Sequence, residues 1–281
     1  MREIDLKYVQ QKVKEAFIEA NYNLNPDVRN ALKQAFHNET EQKAKEVLQA
    51  LIENYQIAEQ GVFPLCQDTG VAVIFCELGQ QISFINGSLN QCLQDAVKQA
   101  YQEGYLRKSM VDFPLYERIN TKDNCPAIIH YELKDGSDLK ITVMPKGGGS
   151  ENMSKLAMLK PADGEQGVID LVLSHIKEIA GNPCPPIIVG IGIGGNFESC
   201  ALLAKKSLLT EIDHINDDPI LAQLEDKLFK LINETGIGPM GLGGKSTCLK
   251  VSIKTLPCHI ASLPVAINVE CHAHRYKTIL I

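Results

Sequence analysis

In the run Pro64-Leu65-Cys66-Gln67-Asp68-Thr69-Gly70 a thiol and a carboxylate stand two residues apart, close enough to serve one bound molecule from a single turn. A thiolate is a soft ligand suited to iron–sulfur clusters, zinc or copper, and an acid beside such a centre can move protons for a substrate held there. The pairing points to metal-assisted acid/base chemistry. The same residues also suit a plain Asx turn ahead of Gly70, and the two readings are compatible.

Three glycine runs add candidates. Lys146-Gly147-Gly148-Gly149-Ser150 follows an expected strand and precedes an expected helix from Ser150, so its backbone N–H groups would be able to cradle a carboxylate or phosphate. Gly190, Gly192 and Gly195 match the G-x-G-x-x-G dinucleotide spacing, with Glu211 or Asp213 near the place of a ribose-binding acid. Leu209 to His214 makes a poor second strand for such a site, and tight turns with close packing are the preferred reading. Gly241-Leu242-Gly243-Gly244-Lys245-Ser246-Thr247 ends like a P-loop, but Pro239 stands where that motif needs glycine, so it is read the same way.

The nine cysteines, at positions 66, 76, 92, 125, 184, 200, 248, 258 and 271, form no Cys-x-x-Cys pair. Their wide spacing argues against a secreted disulfide framework, and any cluster must draw its ligands from distant loops. The chain has 281 residues, 22% of them charged, and a net charge of −6, which fits a folded acidic protein and excludes the basic stripe that nucleic-acid backbones require. The start, Met1-Arg2-Glu3-Ile4-Asp5-Leu6-Lys7, lacks the apolar stretch of a signal peptide, and no segment reaches the length of a membrane span. A cytoplasmic protein is expected.

The elements that must position these residues read as mixed α/β. Residues 1–60 are expected to form a helical N-terminal lobe, with Asn25-Pro26-Asp27 as cap and first turn and Thr40 opening the next helix. Residues 61–281 are expected to form an α/β lobe, continuous with it as one domain. Strands are predicted at Val71 to Cys76, Pro186 to Ile191, Thr247 to Leu256 and Pro264 to Val269, and helices at Ser88 to Leu106, Gln166 to Ala180, Phe197 to Leu209 and Pro219 to Glu234. Ala127 to Leu133 and Leu139 to Met144 flank Lys134-Asp135-Gly136-Ser137-Asp138 and are predicted to pair as a hairpin.

Taken together, the Cys66-Gln67-Asp68 run, Lys146-Gly147-Gly148-Gly149-Ser150-Glu151-Asn152, Cys184-Pro185-Pro186 with its downstream glycine loop, the Gly241 to Thr247 run, and Ala261-Ser262-Leu263-Pro264-Val265 leading to Cys271-His272-Ala273 resemble the class I iron–sulfur fumarate hydratase family, whose motifs L-tartrate dehydratases share. The resemblance spans essentially the whole chain and implies an oxygen-sensitive [4Fe-4S] hydro-lyase. It implies Cys66, Cys184 and Cys271 as cluster ligands, with one iron left open to act on a substrate hydroxyl. It also implies Asp68 as acid/base, Gln67 beside it in contact with substrate or water, Arg107 as a bidentate clamp on one substrate carboxylate, and the backbone of Gly148 and Gly149 on the second. His259 matches a histidine that enters the site, across a subunit interface.

For Cys66 and Cys184 the residues alone suit buried loop cysteines, for Arg107 a solvated helix end, and for His259 a core histidine. His272 and His274 beside Cys271 resemble zinc ligands, but no second cysteine pair supports them, and they are read as loop residues. Single-chain members of the family carry a further C-terminal domain, whereas this sequence stops ten residues past Cys271, like the alpha subunit of the two-subunit form. A separately encoded beta subunit and an alpha–alpha dimer within a heterotetramer are therefore expected. The expected reaction is reversible hydration of fumarate to L-malate. The alternatives are an L-tartrate or other C4–C5 hydroxy-acid dehydratase, or a non-catalytic cluster-bearing interaction protein.

Overall fold

Alternating apolar residues and well-placed caps carry the sequence into the elements of a computed structural model that describes residues 1–281. The chain opens with β1 (Arg2–Asp5), α1 (Leu6–Tyr22), α2 (Pro26–Asn38) and α3 (Gln42–Ala58). Then come β2 (Val71–Gly79), β3 (Ile82–Ile85), α4 (Leu89–Glu103), the short pair β4 (Val111–Asp112) and β5 (Ile119–Asn120), β6 (Ile128–Lys134) and β7 (Leu139–Lys146). A single turn, α5 (Gly148–Glu151), leads to β8 (Lys155–Leu159), α6 (Gly164–Ile179), β9 (Ile187–Gly194) and α7 (Phe197–Ser207). The chain closes with α8 (Pro219–Asn233), β10 (Cys248–Leu256), β11 (Leu263–Glu270) and β12 (Lys277–Leu280). The class is mixed α/β, and no helix is long and apolar enough to cross a membrane.

Two units are distinguished by their internal contacts: Met1–Leu24 with Tyr55–Gly148 and Arg275–Ile281, and Asn25–Asn54 with Gly149–His274. The first 60 residues therefore do not share one unit, since α1 packs in the first while α2 and most of α3 belong to the second.

In the first unit a four-stranded sheet runs β12-β7-β2-β6. Period-two alternation turns Ala72, Ile74 and Cys76 of β2 and Leu139, Ile141 and Val143 of β7 to one face. There they meet Val9, Val13 and Phe17 of α1 and Leu93, Val97 and Tyr101 of α4. Ser88 caps α4 by accepting the Gln91 N–H. The expected hairpin of β6 with β7 does not form: β2 lies between them, parallel to β6 and antiparallel to β7. The loop from Lys134 to Asp138 instead wraps the end of β2, where the Asp138 carbonyl accepts from Gly79 N and the Gly136 carbonyl from Gln81 N.

In the second unit the sheet order is β10-β9-β11-β8. Val168, Val172 and Ile176 of α6 and Leu224, Leu228 and Ile232 of α8 cover one face with Val189, Ile191, Val251 and Ile267 of the sheet. Cys200 and Ala204 of α7 cover Ala266 on β11 from another cluster. The predicted helix from Ser150 is only one turn, Gly148–Glu151, because Lys155 onward is drawn into β8 by pairing with β11.

Candidate active site

The Asp68 turn is built entirely within the first unit. Its carboxylate is an acceptor on both oxygens: Gly70 N–H donates to Oδ1 at 3.0 Å, the Asx turn, and Gly148 N–H donates to Oδ2 at 2.7 Å. The first glycines of the Lys146 run thus lie against Asp68. Arg275, almost fully buried, donates from Nη2 to the Asp68 carbonyl at 2.8 Å and from Nη1 to Asn21 Oδ1 at 3.1 Å. Cys66 and Asp68 are partly exposed and Gln67 exposed, with Cys66 Sγ 3.3 Å from Gln67 Oε1. Arg107 is exposed, and its carbonyl accepts the Thr69 hydroxyl at 3.0 Å. The Tyr101 hydroxyl lies 2.9 Å from the carbonyls of Thr69 and Gly70. Five of the sequence-predicted residues, Cys66, Gln67, Asp68, Arg107 and Gly148, therefore sit on this unit, four of them on or against one braced turn.

Cys184, Cys271, Gly149 and His259 lie in the second unit. Although far apart in sequence, Cys184 and the Cys271 loop are tied together. His272 donates from Nδ1 to the Cys184 carbonyl at 3.0 Å, and its backbone N–H reaches the same oxygen at 3.4 Å. A carbonyl can only accept, so this bond requires a proton on Nδ1. Cys184 itself is left-handed at φ 55°, a conformation that costs a non-glycine residue of order 1–3 kcal/mol and tends to mark functional loops. His259 is exposed and bonds within its own loop, with Nδ1 accepting the Ala261 N–H at 3.1 Å.

None of the nine cysteines is in a disulfide. Burial separates them: Cys76, Cys92, Cys200 and Cys248 are buried, while Cys66, Cys184 and Cys271 are partly exposed. Desolvation pushes the thiols of Cys76 and Cys248 up to about 12 and those of Cys92 and Cys125 up to about 11, which makes them poor sources of thiolate. The three thiols of the family pattern are accessible soft donors on irregular loops, and in that respect they fit an iron–sulfur cluster. No three His, Cys, Asp or Glu side chains stand together as a ready-made site for an ion.

Several supporting residues were not anticipated. Arg275, Tyr101 and Asn124 hold the Asp68 turn from elements distant in sequence. In the second unit, Glu151 of the glycine run takes Lys205 Nζ on both carboxylate oxygens, at 2.6 and 2.7 Å, and the Asn268 amide at 2.9 Å.

The glycines at 190 and 192 are explained by packing. A Cβ on Gly190 would stand 2.3 Å from the Ala204 carbonyl, and one on Gly192 2.2 Å from that of Cys200, so both exist to let α7 lie on β9.

The mixed α/β chain thus carries an oriented carboxylate next to a thiol on one turn, and two further thiols on tied loops. Comparison with known sequences gives the family: residues 10–280 match the family described as Fumarate hydratase (Fumerase). A Methanocaldococcus jannaschii protein bearing the name "Putative L(+)-tartrate dehydratase subunit alpha" is 43% identical over 271 residues, 95% of each chain. The L(+)-tartrate dehydratase subunit alpha of Escherichia coli O157:H7 is 34% identical, and that of strain K12 33%, each over 259 residues, 91% of this chain and 84% of theirs. The chain belongs to the fumarate hydratase family, and its class is that of the hydro-lyases.

Proposed function

We propose that this chain is the alpha subunit of a [4Fe-4S] hydro-lyase that removes water from a four-carbon hydroxy-dicarboxylate, with L(+)-tartrate as substrate. The names of relatives matched over nearly the whole chain favour tartrate over the fumarate–malate pair expected from the motifs. The observation that carries the reading is the Asp68 carboxylate, oriented by two backbone N–H groups two residues from Cys66.

Cys66, Cys184 and Cys271 would hold the cluster. When bound by three thiolates, it supplies an iron open to a substrate hydroxyl as Lewis acid. The chain's own residues do the rest. In the elimination a C–H bond beside one carboxylate breaks, its electron pair forms the C=C bond, and the C–O bond at the neighbouring carbon breaks to release water. Asp68 is the group that exchanges a proton in this sequence, and Gln67 lies beside it. Arg107, exposed and without a carboxylate partner in the chain, is suited to clamp one substrate carboxylate bidentately.

Gly149 is suited to the other carboxylate. Beyond its chain neighbours and its own helical turn, no atom lies within 4 Å of where its Cβ would be, and its φ is not left-handed, so neither packing nor backbone conformation demands glycine there. Room for a substrate carboxylate against the backbone would account for it. His259 would enter from a neighbouring copy in an alpha–alpha dimer. A beta subunit would supply further substrate contacts, and the exposed Tyr105, Phe113, Leu115 and Tyr116 form apolar surface of the kind partners cover.

The test is anaerobic purification of the chain with its co-expressed beta subunit, iron and sulfide counting, and assays on L(+)-tartrate, L-malate and fumarate. About four irons per alpha chain and highest kcat/KM on L(+)-tartrate are expected. Zinc in place of iron would overturn the cluster, and turnover of fumarate and malate without tartrate would overturn the substrate.

A further inference from the structure

The Asp68 turn and the Arg107 segment are separated by β2, β3 and α4, and two buried side chains bridge them directly. Thr69 donates its hydroxyl to the Arg107 carbonyl at 3.0 Å. Asn124, fully buried, employs both ends of its amide. Its Oδ1 accepts from Ser109 N at 2.6 Å and Met110 N at 3.1 Å, just past Arg107, while Nδ2 donates to the Gly70 carbonyl at 3.1 Å. Asn124 is left-handed at φ 62°, a conformation asparagine tolerates better than most residues.

We propose that Asn124, with Thr69, is a positioning residue of the elimination: the pair forms a brace that sets the Asp68 carboxylate at a fixed distance from the Arg107 guanidinium. The inference rests on the roles given above to Asp68 and Arg107, and adds what holds them in register. A proton-transfer group must meet one atom of a substrate whose carboxylate is clamped several bonds away. An error of about 1 Å there costs on the order of 100-fold in rate. Without the brace, the Asp68–Arg107 spacing would depend on the Tyr101 hydroxyl, six residues before Arg107, and on the packing of the long intervening segment.

The chemistry of the bridge requires an amide. One group must accept two N–H bonds and donate to a carbonyl, which an amide does and a carboxylate cannot, having no proton to give. Aspartate at 124 would keep the arm to Ser109 and Met110 and set a lone pair against the Gly70 carbonyl. Valine at 69 would keep the shape of threonine and remove only the bond to Arg107.

The experiment compares N124D, T69V and T69S in the assembled, cluster-loaded complex, with D68N and R107A as controls. Each is measured for iron content, melting temperature, kcat and KM on the four-carbon substrate, and kcat/KM on a five-carbon homologue. N124D is expected to lower kcat by roughly 30- to 100-fold and T69V by about 10-fold, with KM within about 3-fold and iron content unchanged. T69S should restore kcat. The preference for the four-carbon over the five-carbon substrate should fall at least about 5-fold in N124D and T69V, because a loosened distance discriminates length poorly. A purely structural role would lower activity on both substrates alike, in step with iron content or melting temperature, and that result would overturn the proposal. If N124D does not fold, the T69V and T69S pair decides alone. Wild-type turnover in D68N and R107A would sink the underlying roles. Inactive D68N and R107A beside N124D and T69V that keep wild-type kcat and length preference would sink the brace alone.

Discussion

Asp68→Asn is the substitution whose consequences the geometry fixes most closely. Asparagine keeps one oxygen, so only one of the two N–H bonds from Gly70 and Gly148 survives, and its NH2 group faces the other N–H. Hydrogen bonds to a charged acceptor contribute about 1.5–3 kcal/mol, and because Asp68 is partly exposed, water recovers part of that, which sets the loss near the lower end. A loss of about 1.5 kcal/mol lowers the melting temperature by roughly 3–6 °C for a chain of this size. Removing a general acid/base lowers kcat by about 10²- to 10⁴-fold. KM should move little, since the proposed carboxylate contacts at Arg107 and Gly149 are untouched. The assay is steady-state turnover of the anaerobic complex with parallel iron counting, and thermal melting of the cluster-free alpha chain. Turnover within about 3-fold of wild type at full iron content would refute the acid/base role. An unchanged melting temperature would refute the two-bond geometry itself.

Other consequences can be checked independently. Gly149→Ala should leave the melting temperature unchanged or slightly raised, since its Cβ enters open space, yet raise KM for the dicarboxylate by about 10-fold or more by crowding the carboxylate contact. Native thiol titration of the cluster-free chain should modify Cys66, Cys184, Cys258 and Cys271 well ahead of the buried Cys76, Cys92, Cys200 and Cys248, as read by peptide mapping. Cys248 keeps its proton in the folded chain up to about 12 against an ordinary 9.0, so the folded state binds the extra proton between those values and stability falls as pH rises through them. Denaturation of wild type and C248S should therefore show a stability difference that is constant below about pH 9 and shifts against wild type above it. Asn233→Ala should cost about 2–4 kcal/mol in urea denaturation, because its amide satisfies the N–H groups of Thr247 and Cys248 and the Cys248 carbonyl at the edge of the sheet.

Residue order carried the elements whose signals are local. Leu89, Cys92, Leu93, Ala96 and Val97 fall on one helical face, Ser88 caps it, and α4 is where that pattern puts it. Strand pairing is not local, which is why β6 and β7 read as a hairpin. Their lengths and the glycine-containing loop between them fit one, and only the insertion of β2 shows otherwise. The same division runs through the site. Cys66 and Asp68 are legible because they share a turn. Arg275 and Asn124 are not, since what distinguishes them is burial with a donor on the Asp68 turn, Arg275 Nη2 on the Asp68 carbonyl and Asn124 Nδ2 on that of Gly70, and in sequence Asn124 is one more polar residue in a turn-rich stretch. Even the tie between Cys184 and Cys271 is a contact between loops, carried by His272, whose place beside a cysteine first suggested zinc.

The glycine runs show how the same residue pattern can have opposite causes. At Gly190 and Gly192 the chain itself occupies the space a Cβ would need, with carbonyls of α7 at 2.3 and 2.2 Å, so the dinucleotide-like spacing is accounted for by helix–sheet contact and leaves nothing for a nucleotide to explain. At Gly148 the nearest atom to a Cβ is Asp68 Oδ2 at 3.6 Å, and at Gly149 none lies within 4 Å. Those positions have neither left-handed backbone nor crowded neighbours. Glycine where the folded chain does not require it points to something outside the chain that does. In this run the backbone already donates to one carboxylate, that of Asp68, and the substrate carboxylate proposed at Gly149 would ask the same kind of donor to act one residue further on.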